Sequence, residues 1–201
     1  MFISFEGTEG VGKTTLIRRI FKTLQAQGHD VVLTREPGGT PMAEQIRGLL
    51  LSVNHSEEMS HDTELLLIYA ARAQHLKHVI LPALAAGKTV LCDRFTDASF
   101  AYQCAGRGSS AEKLALLNTQ FVSRMRDLTF WLDAPIELGM QRARARGELD
   151  RFEQEKAAFF EKVRTGYATL QQQQPERIKR LDATQAPEQV FDAAMGYILR
   201  K

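Results

Sequence analysis

The sequence predicts an α/β fold, a P-loop-type three-layer αβα sandwich in which a five-stranded parallel sheet has helices on both faces, with a small arginine-rich lid. Two observations lead to this prediction. Short apolar runs alternate with segments of helical periodicity, which is the order of a parallel sheet. A polar or glycine-rich stretch follows each apolar run, as expected where parallel strands end beside a ligand site. The predicted strands are Phe2–Phe5, Val31–Thr34, Thr89–Asp93, Thr129–Asp133 and Ile178–Leu181.

Length and composition limit the possible classes of protein. The 201 residues predict a single domain, residues 1–201. A hydrophobic fraction of 44% is enough for a core, and a net charge of +2 gives no broad basic surface for nucleic acid or a membrane. No apolar run approaches the ~20 residues of a membrane span. Cys92 and Cys104 are the only cysteines, which favours a reducing compartment. We expect a cytoplasmic enzyme or switch protein without nucleic-acid or membrane partners.

A glycine-rich loop joins the first strand to the first helix with the spacing G-x-x-x-x-G-K-[ST] of a P-loop. Its glycines allow positive φ angles that turn backbone N–H groups toward an anion, and the helix dipole adds to the positive potential. Lys13 supplies a mobile charge for phosphate, and Thr14 supplies a hydroxyl for Mg²⁺. The alternative is a chance glycine turn with the same spacing. The predicted ATP-binding residues of the loop are Gly7, Thr8, Glu9, Gly10, Val11, Gly12, Lys13, Thr14 and Thr15.

Polar residues stand at the end of each predicted strand. The second strand leads into Arg35–Pro41, whose prolines and glycines make a shaped loop, with Thr40 as the predicted N-cap of the next helix. Asp93 and Arg94 end the third strand, where an aspartate of P-loop enzymes reaches Mg²⁺ or its waters. Because parallel strands end at the same edge of the sheet, these groups predict a single crevice.

The middle of the chain predicts a long helix over about residues 62–86, broken near Pro82. Arg72 follows a stretch that is apolar on nearly every side, so we expect it to be paired or to touch a ligand. His75 and His78 lie three residues apart on this helix. A metal site there is a weak alternative, because no carboxylate or cysteine of suitable spacing accompanies them.

A later amphipathic helix is predicted over Glu112–Met125. Its apolar residues recur at helical spacing. Packing in the core and contact across a dimer are both open interpretations of this face.

An arginine-rich segment, about residues 141–153, is the second strong signal. Alternating alanine and arginine favour a helix, which we expect to end near Gly147, with another helix starting after Asp150. Such a run is usually a solvated helix face. Arginines concentrated beside a phosphate crevice, in a chain of little net charge, instead favour a lid that closes on the transferring phosphate. The arginines are Arg142, Arg144, Arg146 and Arg151.

A P-loop indicates a nucleoside triphosphate, but it does not separate kinases from ATPases or switch proteins. The chain has no Asn-Lys-x-Asp stretch that would read guanine. Arginines in the lid and a second set near the strand ends favour two anionic ligands. We therefore expect a kinase with a phosphorylated acceptor, and a P-loop ATPase switch protein is the alternative from another class.

Taken together, these motifs resemble those of bacterial thymidylate kinases. The P-loop is shared by many families, whereas Arg35–Thr40 combined with Asp93–Phe95 and Ala101–Gln103 is more specific, and the similarity extends through Arg142–Glu153. The resemblance implies transfer of the γ-phosphate of ATP to dTMP, giving dTDP for dTTP synthesis, with Mg²⁺ as cofactor. It also implies a homodimer formed through apolar helices such as Leu65–Ala71 or Leu114–Phe121. Another acceptor, namely dUMP, dGMP or AMP, is the nearest alternative.

The resemblance also implies roles for single residues on the acceptor side. Arg94 and Arg47 would hold the dTMP phosphate, while Arg72 and Gln103 would hydrogen-bond the thymine edge. Tyr102 would crowd the sugar and disfavour ribose. The implied dTMP-binding residues are Glu9, Glu36, Pro37, Arg47, Ile68, Arg72, Arg94, Ser99, Tyr102, Gln103 and Glu153.

On the donor side, the resemblance implies that Arg142 and Gln185 lie near ATP. A general base is not required, because a phosphate monoester at pH 7 is already largely dianionic. Asp93 is therefore assigned to Mg²⁺ and its waters, together with Thr14. The implied catalytic residues are Lys13, Asp93, Arg94 and Arg146.

Two positions depart from a simple phosphate site. Glu9 places a carboxylate in a phosphate cradle, which is tolerable only if it faces the acceptor sugar, Mg²⁺ or an arginine. Thymidylate kinases commonly have a base-stacking aromatic residue where this chain has Ile68. We expect Ile68 to form an apolar wall instead, and Tyr69 beside it is the other candidate.

Overall fold

The structure, a computed structural model, describes residues 1–145 and 150–200. Strands and helices alternate along the chain. The strands are β1 (Phe2–Glu6), β2 (Val31–Arg35), β3 (Thr89–Asp93), β4 (Leu128–Asp133) and β5 (Ile178–Asp182). The helices are α1 (Lys13–Ala26), α2 (Pro41–Leu51), α3 (His61–His75), α4 (Leu81–Ala85), α5 (Thr96–Ser99), α6 (Ala111–Phe121), α7 (Ile136–Arg144), α8 (Ala157–Gln173) and α9 (Pro187–Ile198). Two π-helical segments, π1 (Leu76–Ile80) and π2 (Phe100–Gly106), continue α3 and α5.

The strands form one parallel sheet in the order β2-β3-β1-β4-β5. The central strand, β1, pairs with β3 and β4, so Phe5 lies opposite Asp93 and Glu6 lies opposite Trp131. All five residues of β1 are buried, as in a strand covered on both faces. The predicted α/β fold is confirmed, and the register brings the carboxyl ends of the three inner strands to the same edge.

Each face of the sheet is covered by its own set of helices. Ile3 and Phe5 of β1 share a buried cluster with Ile20 of α1 and Val190 of α9. Phe2 belongs to a separate cluster that includes π1. This division follows from the alternation of side chains along a strand. The described helices therefore form the two outer layers of the sandwich.

Side-chain caps define where several helices begin. The Thr40 hydroxyl accepts the N–H of Ala43 at 3.1 Å, and Pro41 occupies the first turn of α2, as predicted. Ser60 and Ser110 cap α3 and α6 in the same way. Each such cap is worth about 1 kcal/mol. The caps fix the starts of helices that carry or support the site described below.

The helix predicted over residues 62–86 is divided into α3, π1 and α4. Its geometry changes at Leu76, before the predicted break near Pro82. Proline has no N–H and its ring clashes with the carbonyl four residues earlier, so a regular α-helix cannot run through it. The wider π turn, in which the Leu81 N–H donates to the Leu76 carbonyl, accommodates the proline.

Two predicted helix boundaries were wrong. The helix predicted to reach Met125 ends at Phe121, and the extended chain that follows lets Val122 pack in the core. The helix predicted to start after Asp150 begins only at Ala157. Oδ1 of Asp150 accepts two successive backbone N–H groups at 2.9 Å and stabilises a turn there. Within the described ranges, no helix has both the length and the apolar character needed to cross a membrane.

Candidate active site

A cavity of about 920 Å³ opens at the carboxyl edge of the sheet. Its lining combines the predicted ATP site with the predicted acceptor site. The predicted residues that line it are Glu9, Gly10, Val11, Gly12, Lys13, Thr14, Thr15, Glu36, Pro37, Arg47, Ile68, Arg72, Asp93, Arg94, Ser99, Tyr102, Gln103, Arg142, Glu153 and Gln185. Gly7 and Thr8 belong to the same loop without lining this cavity, and Arg146 lies outside the described residues.

The loop between β1 and α1 has the geometry of an anion site. Gly10 has a φ of 71°, and a side chain there would collide with the carbonyl oxygen of Gly139 in α7. Helix α1 begins at Lys13, so its positive dipole end lies at the cavity. Nζ of Lys13 donates to the carbonyls of Gly7 and Thr8 at 3.1 and 2.8 Å. Burial, and then Arg94, lower the pKa of Lys13.

The residues present fit a magnesium ion bound together with substrate phosphates. Oδ1 of Asp93 is buried, and among the described residues it has no hydrogen-bond partner. Thr14 lines the same cavity. In the part of the chain described, no group of three or more His, Cys, Asp or Glu side chains forms a metal site. Mg²⁺ in kinases needs no such cage, because one or two protein oxygens, waters and substrate phosphates complete its shell.

Arg94 connects the P-loop to the acceptor side of the cavity. Its guanidinium group donates to the Gly7 carbonyl at 2.9 Å and to Oε1 of Glu9, and it lies over the Tyr102 ring. The Tyr102 hydroxyl also donates to Glu9, at 3.1 Å. Burial opposes the charge of Arg94, but Glu9 and its other neighbours leave the pKa of Arg94 well above its usual range. Glu9 thus faces an arginine, one of the three orientations that the sequence argument allowed.

Arg72 is almost completely buried at the base of the cavity. Its Nε donates to Oε2 of Glu36 at 2.7 Å, and Nη2 donates to the Phe95 carbonyl at 3.2 Å. Its Nη1 is buried and has no hydrogen-bond partner in the described ranges. Burial alone would lower the pKa of Arg72, but Glu36 raises it. The arrangement holds the guanidinium group rigidly and leaves one donor for a ligand.

His75 supports Glu36 and is not placed to bind a metal. Nδ1 of His75 lies 3.0 Å from the second Glu36 oxygen, and Nε2 lies 2.6 Å from the Thr34 hydroxyl. Both ring nitrogens are therefore engaged. Both oxygens of Glu36 contact protein side chains, so Glu36 positions Arg72 from the rim of the cavity.

Three further residues complete the acceptor end. Ile68 lines the cavity, whereas the Tyr69 hydroxyl donates to Asn118 at 2.8 Å, so Ile68 is the apolar wall. The Ser99 hydroxyl is buried and, among the described residues, has no partner. Nε2 of Gln103 donates to the buried Glu64 at 2.9 Å. Hydrogen-bonding groups thus converge around an apolar wall, as in sites that bind a planar ligand.

Comparisons with known proteins agree with this geometry. The family model described as thymidylate kinase matches residues 5–194. The chain belongs to the thymidylate kinase family. A thymidylate kinase of Acinetobacter baumannii strain ACICU is 74% identical over 198 residues, covering 98% of this chain and 100% of that protein. A thymidylate kinase of Pseudomonas entomophila strain L48 is 54% identical, covering 100% of this chain and 97% of that protein.

Among solved structures, the crystal structure of thymidylate kinase from Ehrlichia chaffeensis superposes with a TM-score of 0.80. Its sequence is 30% identical, and the match covers 98% of each chain. The family, the fold and the enzyme class predicted from the sequence are confirmed.

The segment that the resemblance to thymidylate kinases identifies as a lid is described only at its two ends. Arg142 is exposed and lines the cavity from α7. Arg151, at the other end, does not line the cavity. Its Nε donates to the Leu50 carbonyl at 2.7 Å, and its Nη2 donates to Glu64 at 2.7 Å. Arg151 therefore anchors the base of the segment, which the arginine pattern alone could not distinguish from a phosphate contact.

Sequence reasoning missed two supporting residues behind the site, Tyr167 and Glu64, whereas it placed Glu6 at the crevice. The Tyr167 hydroxyl on α8 donates to Glu6 at 3.0 Å, and Arg94 approaches that hydroxyl at 3.4 Å. Glu64 accepts hydrogen bonds from both Gln103 and Arg151. The residue type alone carried no signal for these roles. Only Glu6, at a strand end, had a position that marked it as part of the crevice.

Proposed function

We propose that this cavity binds ATP over the P-loop and dTMP over Arg72, Arg94 and Gln103, and that the chain transfers the γ-phosphate of ATP to dTMP. The products are dTDP and ADP. The observation that carries the proposal is that one cavity contains both a P-loop and a second set of arginines. A simple ATPase needs the first feature but not the second.

The acceptor assignment follows the described contacts. Arg94 and Arg47 would hold the dTMP phosphate, and Arg47 already donates to the Pro37 carbonyl at 2.9 Å at the cavity edge. The free Nη1 of Arg72 suits a pyrimidine carbonyl, since arginine can only donate. Tyr102 would face the sugar. The remaining residues proposed to line the dTMP site are Glu9, Glu36, Ile68, Ser99, Gln103 and Glu153.

The ATP assignment rests on the P-loop and on two exposed residues at the opposite rim, Arg142 and Gln185. Backbone N–H groups and Lys13 would receive the phosphates, while Arg142 and Gln185 would lie toward the nucleoside. The proposed role of Arg146 as a catalytic lid arginine comes from the resemblance alone, because that residue lies outside the described ranges.

Thr14 and Asp93 would hold Mg²⁺, directly or through water. When bound, the ion supplies positive charge that offsets the charge of the phosphate oxygens. The Asp93 oxygen that lacks a protein partner is the observation that supports this assignment.

The chain's own residues contribute mainly position and charge. ATP and dTMP together bring roughly six negative charges into the cavity, so their mutual repulsion is a large part of the barrier. Lys13, Arg94 and the loop N–H groups are fixed before substrates arrive and therefore stabilise the transition state without reorganising. The acceptor phosphate attacks without a general base, because it is already largely dianionic at pH 7.

A coupled assay of ADP release with Mg-ATP tests the function. The acceptors are dTMP, dUMP, dGMP, AMP and none, in parallel. We expect fast release with dTMP, slower release with dUMP and little otherwise. Release that does not depend on any acceptor would instead support an ATPase switch protein, and a preference for another monophosphate would support a different kinase.

We also propose that the protein is a homodimer in the cytoplasm. Leu66 on α3 and Leu116 and Phe121 on α6 are exposed, with more than half of each side chain accessible. The resemblance implies a contact between two copies through these helices. Cys92 and Cys104 are free thiols, which suits a reducing compartment.

A further inference from the structure

We propose that Glu64, which lies behind the cavity, is a specificity-determining residue because it fixes which end of the Gln103 amide meets the base. The inference rests on the proposed binding of thymine by Arg72 and Gln103. On this proposal, a buried carboxylate that need not touch the substrate determines whether the site prefers a thymine edge or a cytosine edge.

Glu64 is buried and forms ion pairs with two arginines. The side chain is 1% exposed and is contacted by two arginines: Arg151 donates to Oε2 at 2.7 Å, and Arg107 lies 3.4 Å away. In ion pairs of this kind the guanidinium groups donate and the carboxylate accepts. A charged carboxylate only accepts hydrogen bonds. Whatever lies against Oε1 must therefore be a donor.

The Gln103 side chain lies against Oε1 of Glu64. Its amide has one end that donates and one that accepts, and the two ends have nearly the same shape. Because Glu64 can only accept, Nε2 must face it, and the observed distance is 2.9 Å. The Gln103 contacts within the described ranges do not use Oε1, and the residue lines the cavity. An acceptor is thus presented to the ligand.

Gln103 and Arg72 line the same cavity. Nη1 of Arg72 can only donate and has no partner in the part of the chain described. The cavity therefore offers a donor and an acceptor held by two buried glutamates, Glu36 and Glu64. Thymine presents a carbonyl, which can accept from Arg72, and an adjacent N–H, which can donate to Gln103. Cytosine presents an amino group and an unprotonated ring nitrogen, which match neither.

Replacement of Glu64 by glutamine tests the inference. The new amide at position 64 keeps the shape but can donate as well as accept, so the Gln103 amide is free to rotate. We expect kcat/KM for dTMP to fall about tenfold, the effect of one misplaced hydrogen bond. The loss should appear in KM for dTMP and leave KM for ATP unchanged. The ratio of kcat/KM for dTMP to that for dCMP should fall with it.

Glu155→Gln is the matched control. Glu155 pairs with Arg107 but does not contact Gln103. This variant removes one carboxylate that pairs with Arg107. The ratio of kcat/KM for dTMP to that for dCMP should stay as in the parent enzyme. An equal fall in both variants would mean that charge around Arg107, not the amide orientation, sets the specificity.

The exchanged pair Glu64→Gln with Gln103→Glu gives a result that a purely structural role would not. The new glutamate at position 103 can only accept, from the amide at position 64 and from the thymine N–H. We expect most of the dTMP preference to return relative to Glu64→Gln. A double variant that is no better than the single variant would contradict the proposal.

A measurement on the unmodified protein covers the case in which the variants do not fold. By NMR, the Gln103 side-chain proton that is donated to Glu64 should exchange slowly with solvent without any ligand, because Glu64 accepts it in a buried hydrogen bond. Rapid exchange until dTMP is added would overturn the inference. A parent enzyme that does not phosphorylate dTMP would overturn the proposed function. If the parent is active and its preference for dTMP over dCMP is unchanged in Glu64→Gln, only this inference is overturned.

Discussion

Arg94 contacts both the P-loop and Tyr102, a residue of the predicted acceptor side of the cavity. Its φ of 71° is the only positive φ of a non-glycine residue within the described ranges. A residue held in this region costs about 1–3 kcal/mol, which must be offset by its surroundings. The bonds to Gly7 and Glu9 and the contact with the Tyr102 ring supply that support. The backbone conformation holds a fixed charge between the P-loop and the Tyr102 ring.

Replacing Arg94 with alanine should therefore weaken acceptor binding more than donor binding. We expect KM for dTMP to rise at least about tenfold, as for the loss of one charge-assisted hydrogen bond, with a smaller change for ATP. Initial rates with each substrate varied in turn provide the measurement. Equal increases in the two KM values would remove Arg94 from the acceptor site.

At the scale of elements, the P-loop is held from behind by α7. A side chain on Gly139 of this helix would come within 2.5 Å of the Glu9 carbonyl oxygen. The closeness of the two backbones means that helix α7, which leads into the lid segment, cannot move far without moving the P-loop. The P-loop and helix α7 are therefore mechanically linked.

The variant Gly139→Ala tests this link. Alanine is preferred over glycine inside a helix by about 1 kcal/mol, so propensity alone predicts a more stable protein. We expect the collision with Glu9 to outweigh this gain and to raise KM for ATP while lowering the melting temperature. Gly196→Ala in α9 is the control, because a Cβ there meets no atom within 4 Å. If both variants melt higher and keep KM for ATP, the close contact has no functional role.

Comparison of sequence and structure at this scale shows what local patterns can predict. The P-loop and the strand ends were predictable because their chemistry lies within a few neighbouring residues. Gln103 and Glu64 are 39 positions apart, and Tyr167 and Glu6 are 161 positions apart. Such pairs depend on how helices pack over the sheet, and the residue type alone does not reveal them. The turn at Asp150 was missed because a side-chain bond overrode helix propensity there.

At the scale of the whole molecule, one buried carboxyl should make stability depend on pH. Burial, and then the charge of Asp97, raise the pKa of Glu6 to about 8 from its usual 4.5. Glu6 accepts the N–H of Phe95 at 2.8 Å and the hydroxyl of Tyr167. Arg94 and Arg126 oppose the increase without cancelling it. The folded protein therefore keeps a proton on Glu6 at pH values where the unfolded chain has lost it.

This contribution is fully present below the unfolded pKa and is lost as pH rises through the folded one. The free energy of unfolding should fall between about pH 4.5 and 8, by at most about 1.4 kcal/mol per pH unit for one proton. Glu6→Gln removes the titration, so its urea unfolding curves should show a weaker dependence on pH than the parent. Parallel dependence in the two proteins would mean that Glu6 stays charged in the fold.

The exposed side chains of Leu66, Leu116 and Phe121 predict a homodimer. Leu116→Glu on α6 should convert a dimer to a monomer, because it places a charge in an apolar contact. Sedimentation velocity measures the change. Leu199→Glu is the control, since Leu199 is equally exposed but follows α9, away from α6. A parent protein that sediments as a monomer would contradict the proposed homodimer.

The central position of β1 has a consequence for synthesis on the ribosome. This strand precedes the other strands of the sheet in the chain, yet its partners begin near Val90 and Leu128. At about 5–20 residues per second, its first neighbour emerges roughly 4–18 seconds later and its second roughly 6–25 seconds later. During that interval a strand of apolar character has both edges open. We expect the nascent chain to need protection against aggregation until most of the sheet has been translated.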